Sequence, residues 1–315
     1  MKYLSLNKII ITIVVIIGLY AFFLVISDIT TVYDKISKFN LMFLPAILII
    51  VTSSWFILIA RWYLFLKNVN IIVPKKDNII VYLSGTALSI IPGKVGELIK
   101  SQLLKTKFDI PRTKSAPIVV IEQLYNVIGI IIASLFGIWF FEIGLYVVGV
   151  FTVVMVLIFY MFSSEKLFKK SLTLIGRIKL ASQFVEPLFD SYDVIKKSVR
   201  GPIVIYSSAL SALFWIIESL AVYLILLSFG INHIEFLKLI PIYTTSIILG
   251  VASFLPLGVG VVEGSLTGFL TLQGIDVSTT LTLVIFIRIF TRWYTILIGF
   301  LALKLSGGFS IKNNS

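Results

Sequence analysis

An all-α polytopic membrane protein is predicted by three observations. Hydrophobic residue types make up 58% of the 315 residues and charged types only 13%, with a mean hydropathy of +1.06, whereas soluble domains run near half apolar and a quarter charged. The apolar stretches are long enough to cross roughly 30 Å of hydrocarbon as helices of about 20 residues. None alternates with the ten-residue rhythm of a membrane barrel.

The elements follow in chain order. The first span, about Ile9 to Ile26, follows Lys2 and Lys8, is longer than a signal-peptide core and ends in Ser27-Asp28 without a small-residue cleavage pattern, so it is read as a retained helix. Five further spans are expected at about Leu41 to Leu66, Ala116 to Phe141, Ile143 to Phe162, Pro202 to Phe229 and Val277 to Leu303. Two apolar pieces are shorter, Ile79 to Ile91 and Leu239 to Leu255. The first has 13 residues, which reach only about 20 Å at 1.5 Å per residue. It is expected to dip into the bilayer and return through a helix starting near Glu97, with Pro92-Gly93-Lys94-Val95-Gly96 as the break at its tip. Non-helical backbone at that depth is tolerated only where protein or a watery cavity covers it.

Treating both short pieces as re-entrant hairpins leaves six full spans and puts both termini on one side. That side then carries 21 of the 27 lysines and arginines; Lys35, Lys38 and Lys238 fall opposite, and Arg61, Arg288 and Arg292 fall inside spans. Such asymmetry marks the richer side as cytoplasmic. It also accounts for the net charge of +12 without nucleic acid. The segment 163–200 is a basic cytoplasmic loop, in which Phe168, Leu172 and Ile175 stand at helical spacing. It is read either as an ordinary connection or as an amphipathic helix gripping anionic headgroups.

The run Ser253-Phe-Leu-Pro256-Leu-Gly258-Val-Gly260-Val-Val-Glu263 repeats Ser89-Ile-Ile-Pro92-Gly93-Lys94-Val-Gly96-Glu97 as Ser-x-x-Pro followed by Val-Gly and Glu. Residues 1–315 are thus read as one membrane domain with two units. The first is 41–141, with its hairpin at 79–104; the second is 202–303, with its hairpin at 239–273. Three spans between the hairpins invert the second copy, so the broken tips approach one another from opposite faces, as in many secondary transporters.

Charge inside a bilayer costs about 2.5 to 3.5 kcal/mol per residue on insertion scales and so faces a cavity or a partner. The candidate substrate-binding residues are Pro92, Gly93, Lys94, Gly96, Glu97 and Glu122 in the first unit, and Pro256, Gly258, Gly260, Glu263, Arg288 and Arg292 in the second. Glycines at the breaks let backbone N–H groups and helix N-termini face an anion, while Lys94, Arg288 and Arg292 add positive charge. Glu97 and Glu263 are candidates for proton coupling. The bland alternative is that Glu122, Glu218 and the arginines only brace helices; Arg61 reads as a snorkelling residue, and Trp62, Tyr63, Trp293 and Tyr294 as interfacial or packing aromatics. No cofactor is expected. Cysteine is absent and His233 is the single histidine, which excludes disulfides, thiol catalysis and multi-histidine metal sites.

The runs IPGKVGELIKSQLL, LPLGVGVVEG and RIFTRWYTILIG, with Glu122 between the first two, resemble the lysylphosphatidylglycerol synthase transmembrane-region family, also called flippase-like integral membrane proteins. Pro92, Gly93, Gly96, Glu97, Glu122, Arg288 and Trp293 match that family's marks, whereas Gln123 and Asn126 stand where it usually has Arg and Asp. The resemblance implies movement of lipids or lipid-linked sugars between leaflets of the cell membrane, with a membrane lipid as partner and a protein partner left open. Synthase members add a soluble catalytic domain; the present sequence runs to KLSGGFSIKNNS, so aminoacyl transfer is not expected. Two other classes remain open: an accessory scaffold for a lipid-modifying enzyme, and an intramembrane lipid-linked glycosyl or phosphoryl transferase with Glu97 or Glu263 as base.

Overall fold

A computed structural model describes residues 39–91, 96–175, 177, 189 and 191–307. The expected first span and the break residues Pro92, Gly93 and Lys94 lie outside them. Every regular element among the described residues is a helix, and the protein is a polytopic membrane protein: five of these helices are long and apolar enough to span, Leu41–Asn68, Arg112–Leu135, Glu142–Ser163, Pro202–Ser228 and Val277–Leu305.

In order, α1 is Leu44–Asn68, entered through a short 3₁₀ turn that the Asn40 side chain caps by accepting from the Met42 N–H. Next come α2, Lys75–Ala87, and α3, Ile99–Phe108, on either side of the first break. The spans α4, Arg112–Leu135, and α5, Glu142–Ser163, are followed by the short helices α6, Glu165–Ile175, and α7, Tyr192–Ser198. The second half holds α8, Pro202–Ser228, then α9, Phe236–Ala252, and α10, Val261–Thr271, around the second break. The last span comprises α11, Val277–Arg288, a five-residue π turn at Ile289–Trp293, and α12, Tyr294–Leu305.

Two helices start earlier than hydropathy suggests. The helix expected from Ala116 begins at Arg112, behind Pro111, and the piece expected from Ile79 begins at Lys75, behind Pro74. In each the opening residues are charged or polar: hydropathy marks the part in hydrocarbon, while proline, with its fixed φ, marks where the helix starts. The span expected to reach Phe141 stops at Leu135, and Gly137 then passes against the backbone of Leu237.

The halves are interleaved. The spans that open them, α1 and α8, lie against each other, α12 packs on α2, and α4 packs on α9. Gly299 makes the α12–α2 approach possible, since a Cβ there would sit 2.5 Å from the Ala87 nitrogen. Thr86 Oγ1 then donates to the Thr295 carbonyl at 3.3 Å. At α4–α9 the hydroxyls of Ser134 and Thr244 meet at 2.6 Å. Small and hydroxyl side chains are the usual means of helix approach in lipid. The apolar face of α6 is turned to the protein: Phe168 and Leu172 are buried, and the Phe168 ring lies 5.9 Å from Phe162 and 5.0 Å from Tyr192.

Candidate functional site

The first break places Glu97 in the turn that leads into α3, one helical turn before Lys100. Lys100 is 1% exposed, its ammonium 2.9 Å from Glu97 Oε2 and hydrogen-bonded to Glu122 Oε2 on α4. It sits between the rings of Trp62 and Tyr82, 4.8 and 5.1 Å from their centroids. A buried ammonium between two carboxylates and two π faces is compensated on every side. Glu122 Oε1 faces Arg61 Nη2 at 3.4 Å, and the same nitrogen donates to Asn126 Oδ1 at 2.8 Å while Nη1 donates to Ser211 Oγ at 2.5 Å. Asn126 donates to Gln123, which donates to Glu97 Oε2 at 3.0 Å.

Arg61 therefore does not snorkel to an interface. It is fully buried, and with Lys100 it supplies the positive charge beside Glu122. Gln123 and Asn126 serve as neutral links in the same network. Trp62 is likewise a buried wall of the Lys100 cage.

The second break is clamped by charge. Between Phe254 and Gly260 four residues have positive φ: Phe254 at 54°, Leu257 at 53°, Gly258 at 66° and Gly260 at 87°. The two with side chains carry strain of about 1 to 2 kcal/mol each. Gly258 has a second reason to be glycine, because a Cβ would lie 2.8 Å from the Gly250 Cα. Pro256 opens the short turn through Gly258, and α10 starts with Glu263 accepting from the Gly260 N–H at 2.7 Å. Arg288 holds both parts, donating from Nε to Glu263 Oε1 and from Nη2 to the Leu257 carbonyl, each at 2.7 Å.

Arg292, in the π turn, makes a two-pronged pair with Glu218 on α8, at 3.1 and 3.3 Å. Tyr243 on α9 donates to Glu218 Oε2 at 3.2 Å, and the Arg292 guanidinium stands 5.6 Å from the Trp215 ring. Trp215 in turn donates to the Asn126 carbonyl at 3.1 Å, which joins the two charge clusters.

The breaks meet. Ile90 and Ile91 of the first pack with Leu257 and Val259 of the second and with Trp293. Beside that contact lies a cavity of about 370 Å³ whose walls come from both breaks and from the spans between them. Most of its wall is apolar, including Trp55, Phe214 and Ile247; Glu97, Glu122, Gln123 and Asn126 line it from the first half, and Glu218, Arg288 and Arg292 from the second. Of the sequence candidates, Glu97, Glu122, Gly258, Arg288 and Arg292 reach the cavity. Glu263 and Gly260 stand behind Arg288 as the helix cap, and Gly96 is buried against the Leu88 backbone. Lys100, Arg61 and Tyr82 are not among the sequence candidates, and neither is Glu218, for which bracing is the reading the sequence favours.

The sequence matches the family described as Lysylphosphatidylglycerol synthase TM region over residues 9–299. It is also 28% identical over 105 residues to a UPF0104 membrane protein of Methanothermobacter thermautotrophicus, a match covering 33% of this chain and 31% of that protein. The chain thus spans about a third of that relative's length. Because the family match runs through all five described spans and both broken helix pairs, the chain belongs to the lysylphosphatidylglycerol synthase TM-region family of membrane proteins.

Proposed function

We propose that this protein moves a lipid with an anionic or glycosylated headgroup between the leaflets of the cell membrane, by a passage through the cavity between the two breaks. One observation carries the reading: the cavity joins an apolar wall to buried carboxylates, amides and guanidinium groups, and both broken helix pairs line it. An amphiphile needs both surfaces at once, and pockets of this kind hold ligands by an apolar lining with a few fixed polar groups. The two breaks are the re-entrant tips of inverted units, and both termini face the cytoplasm. Crossed packing of α4 on α9 and α12 on α2 supports that symmetry. Transport is favoured over catalysis because Glu97, Glu122, Glu218 and Glu263 each lie against a cation, where a general base would need a substrate proton in reach.

The test is reconstitution into liposomes carrying fluorescent lipids, with a membrane-impermeant quencher reporting the outer leaflet. The wild-type protein is expected to expose inner-leaflet anionic or glycosylated lipid to the quencher faster than empty liposomes. Val127→Trp, which fills the cavity from α4, is expected to slow it. No acceleration for any headgroup would refute the reading.

A further inference from the structure

Arg292 is the better exposed of the two lining arginines, with 21% of its side chain accessible against 2% for Arg288. Its two terminal nitrogens are the ones a phosphodiester would take, because a planar guanidinium holds two oxygens at once. Both already face the two oxygens of Glu218, whose side chain is 3% exposed. An anion arriving there meets a carboxylate on the same cation, in a place with little water, and two like charges that share such a site do not both stay ionised.

Among the described residues Arg292 is the cation bonded to Glu218, and the other cations around it have carboxylates of their own. From the π turn it faces Arg292, from α9 the Tyr243 hydroxyl, and from α11 Arg288, which Glu263 and the Leu257 carbonyl engage. On α4, Glu122 is bound to Lys100 and Arg61; from α1, Arg61 reaches α8 at Ser211, two turns before Glu218. A proton on Glu218 restores neutrality locally, and Tyr243 is placed to receive the new O–H, since a phenol hydroxyl both donates and accepts.

We propose that the Glu218–Arg292 end of the cavity, bordered by Trp215 and Tyr243, is a phosphodiester subsite that fills together with one proton. The phosphodiester takes the terminal nitrogens of Arg292, and one proton from solution neutralises Glu218; no covalent bond forms or breaks. The proposal rests on the lipid-transport reading and adds its coupling ion. It assigns that role to Glu218 instead of Glu97 or Glu263. The same chemistry could be offered by a lipid headgroup or by a soluble phosphate; the lipid is chosen because apolar wall adjoins the subsite at Phe214 and Ile247.

The experiment uses the purified full chain in a neutral detergent with dioctanoyl phosphatidylglycerol as probe. Proton uptake is followed with an indicator dye in weak buffer, and binding by calorimetry, from about pH 6 to about pH 9. On the alkaline side, the wild-type protein is expected to take up one proton per lipid bound, with Kd rising about tenfold per pH unit. Glu218→Gln is expected to bind across the range without uptake and with a flat Kd. Because the wild-type measurement is decisive by itself, the outcome does not depend on how well the variant folds. Binding without uptake and with a flat Kd in wild type overturns the coupling and leaves the lipid site standing. No binding by either protein at any pH overturns the phosphodiester subsite and its coupling, while the transport reading stands or falls by the liposome assay. Inorganic phosphate at the same concentration is expected to give no uptake; equal uptake would overturn the lipid assignment.

Discussion

The clamp on the second break is best tested by removing both of its charges, singly and together. Arg288 and Glu263 are 2% and 4% exposed and 2.7 Å apart. Arg288→Met leaves the Glu263 carboxylate buried with the Gly260 N–H as its cap and takes away the bond to the Leu257 carbonyl. Losing one partner of a buried ion pair costs about 3 to 5 kcal/mol, to which a bond from a charged donor adds about 1.5 kcal/mol. Glu263→Gln keeps an oxygen for the Gly260 N–H but strands the guanidinium, at about 3 kcal/mol. In Arg288→Met/Glu263→Gln no charge is stranded, and the double variant is expected to be more stable than Arg288→Met alone by about 2 kcal/mol. Unfolding in mixed detergent micelles, read by the loss of helical circular dichroism, ranks the four proteins. A double variant less stable than either single would show that the charges stabilise independently and that the break is not held by their pairing.

Four other outcomes follow from the geometry. Gly299→Leu should push α12 off the backbone of α2 and lower the melting temperature in detergent by an amount matching about 2 to 3 kcal/mol, as overpacking of a close contact does. Gly258→Ala, at φ 66° and with its Cβ 2.8 Å from Gly250, should cost about 1 to 2 kcal/mol in the same measurement. Lys100→Met should destabilise by about 3 kcal/mol because Glu97 and Glu122 lose their shared cation, and Lys100→Arg should restore only part of it, since the two carboxylates converge on one ammonium nitrogen and a planar fork spreads its donors. On α6, a hydrogen bond from Lys169 and then its charge hold the Glu165 carboxyl below its usual value. Any stability from that pair is present above the unfolded carboxylate value and lost as pH falls through the folded one. Because both groups are exposed, Glu165→Gln should leave the melting temperature at neutral pH unchanged.

The spans and the breaks were legible because their signals are local. Hydropathy located four of the five described spans to within a few residues and overran the end of α4 by six, and Pro-Gly clusters next to apolar runs marked where helices stop. Lys100 was counted with the cytoplasmic loop, although its setting held a clue: it is one helical turn after Glu97, among Leu98, Ile99, Leu103 and Leu104, the position of a charge paired along its own helix. Arg61, in Leu-Ile-Ala-Arg-Trp-Tyr, reads equally as a snorkelling residue near a helix end and as an interior one; the difference lies in Ser211, Glu122 and Asn126, which belong to other helices. The same holds for Glu218. A carboxylate in mid-span demands a partner, but which arginine supplies it depends on how α8 meets the last span, and that contact leaves no mark on either segment alone.

The interleaving of the halves also bears on how the chain comes to be made. The hydroxyl of Thr86 reaches the carbonyl of Thr295 across 209 positions of sequence, so the seat of α2 is completed only once α12, the last of the described helices, has left the ribosome. Until then the short α2 has its other neighbours but not the wall formed by α12, and it must wait in the membrane or at its surface with that flank uncovered. Truncations that remove α12 should therefore lose the first broken pair along with the last span. Two separately expressed halves would each lack a surface that only the other supplies, and co-expression is the condition under which they should be recovered as one complex.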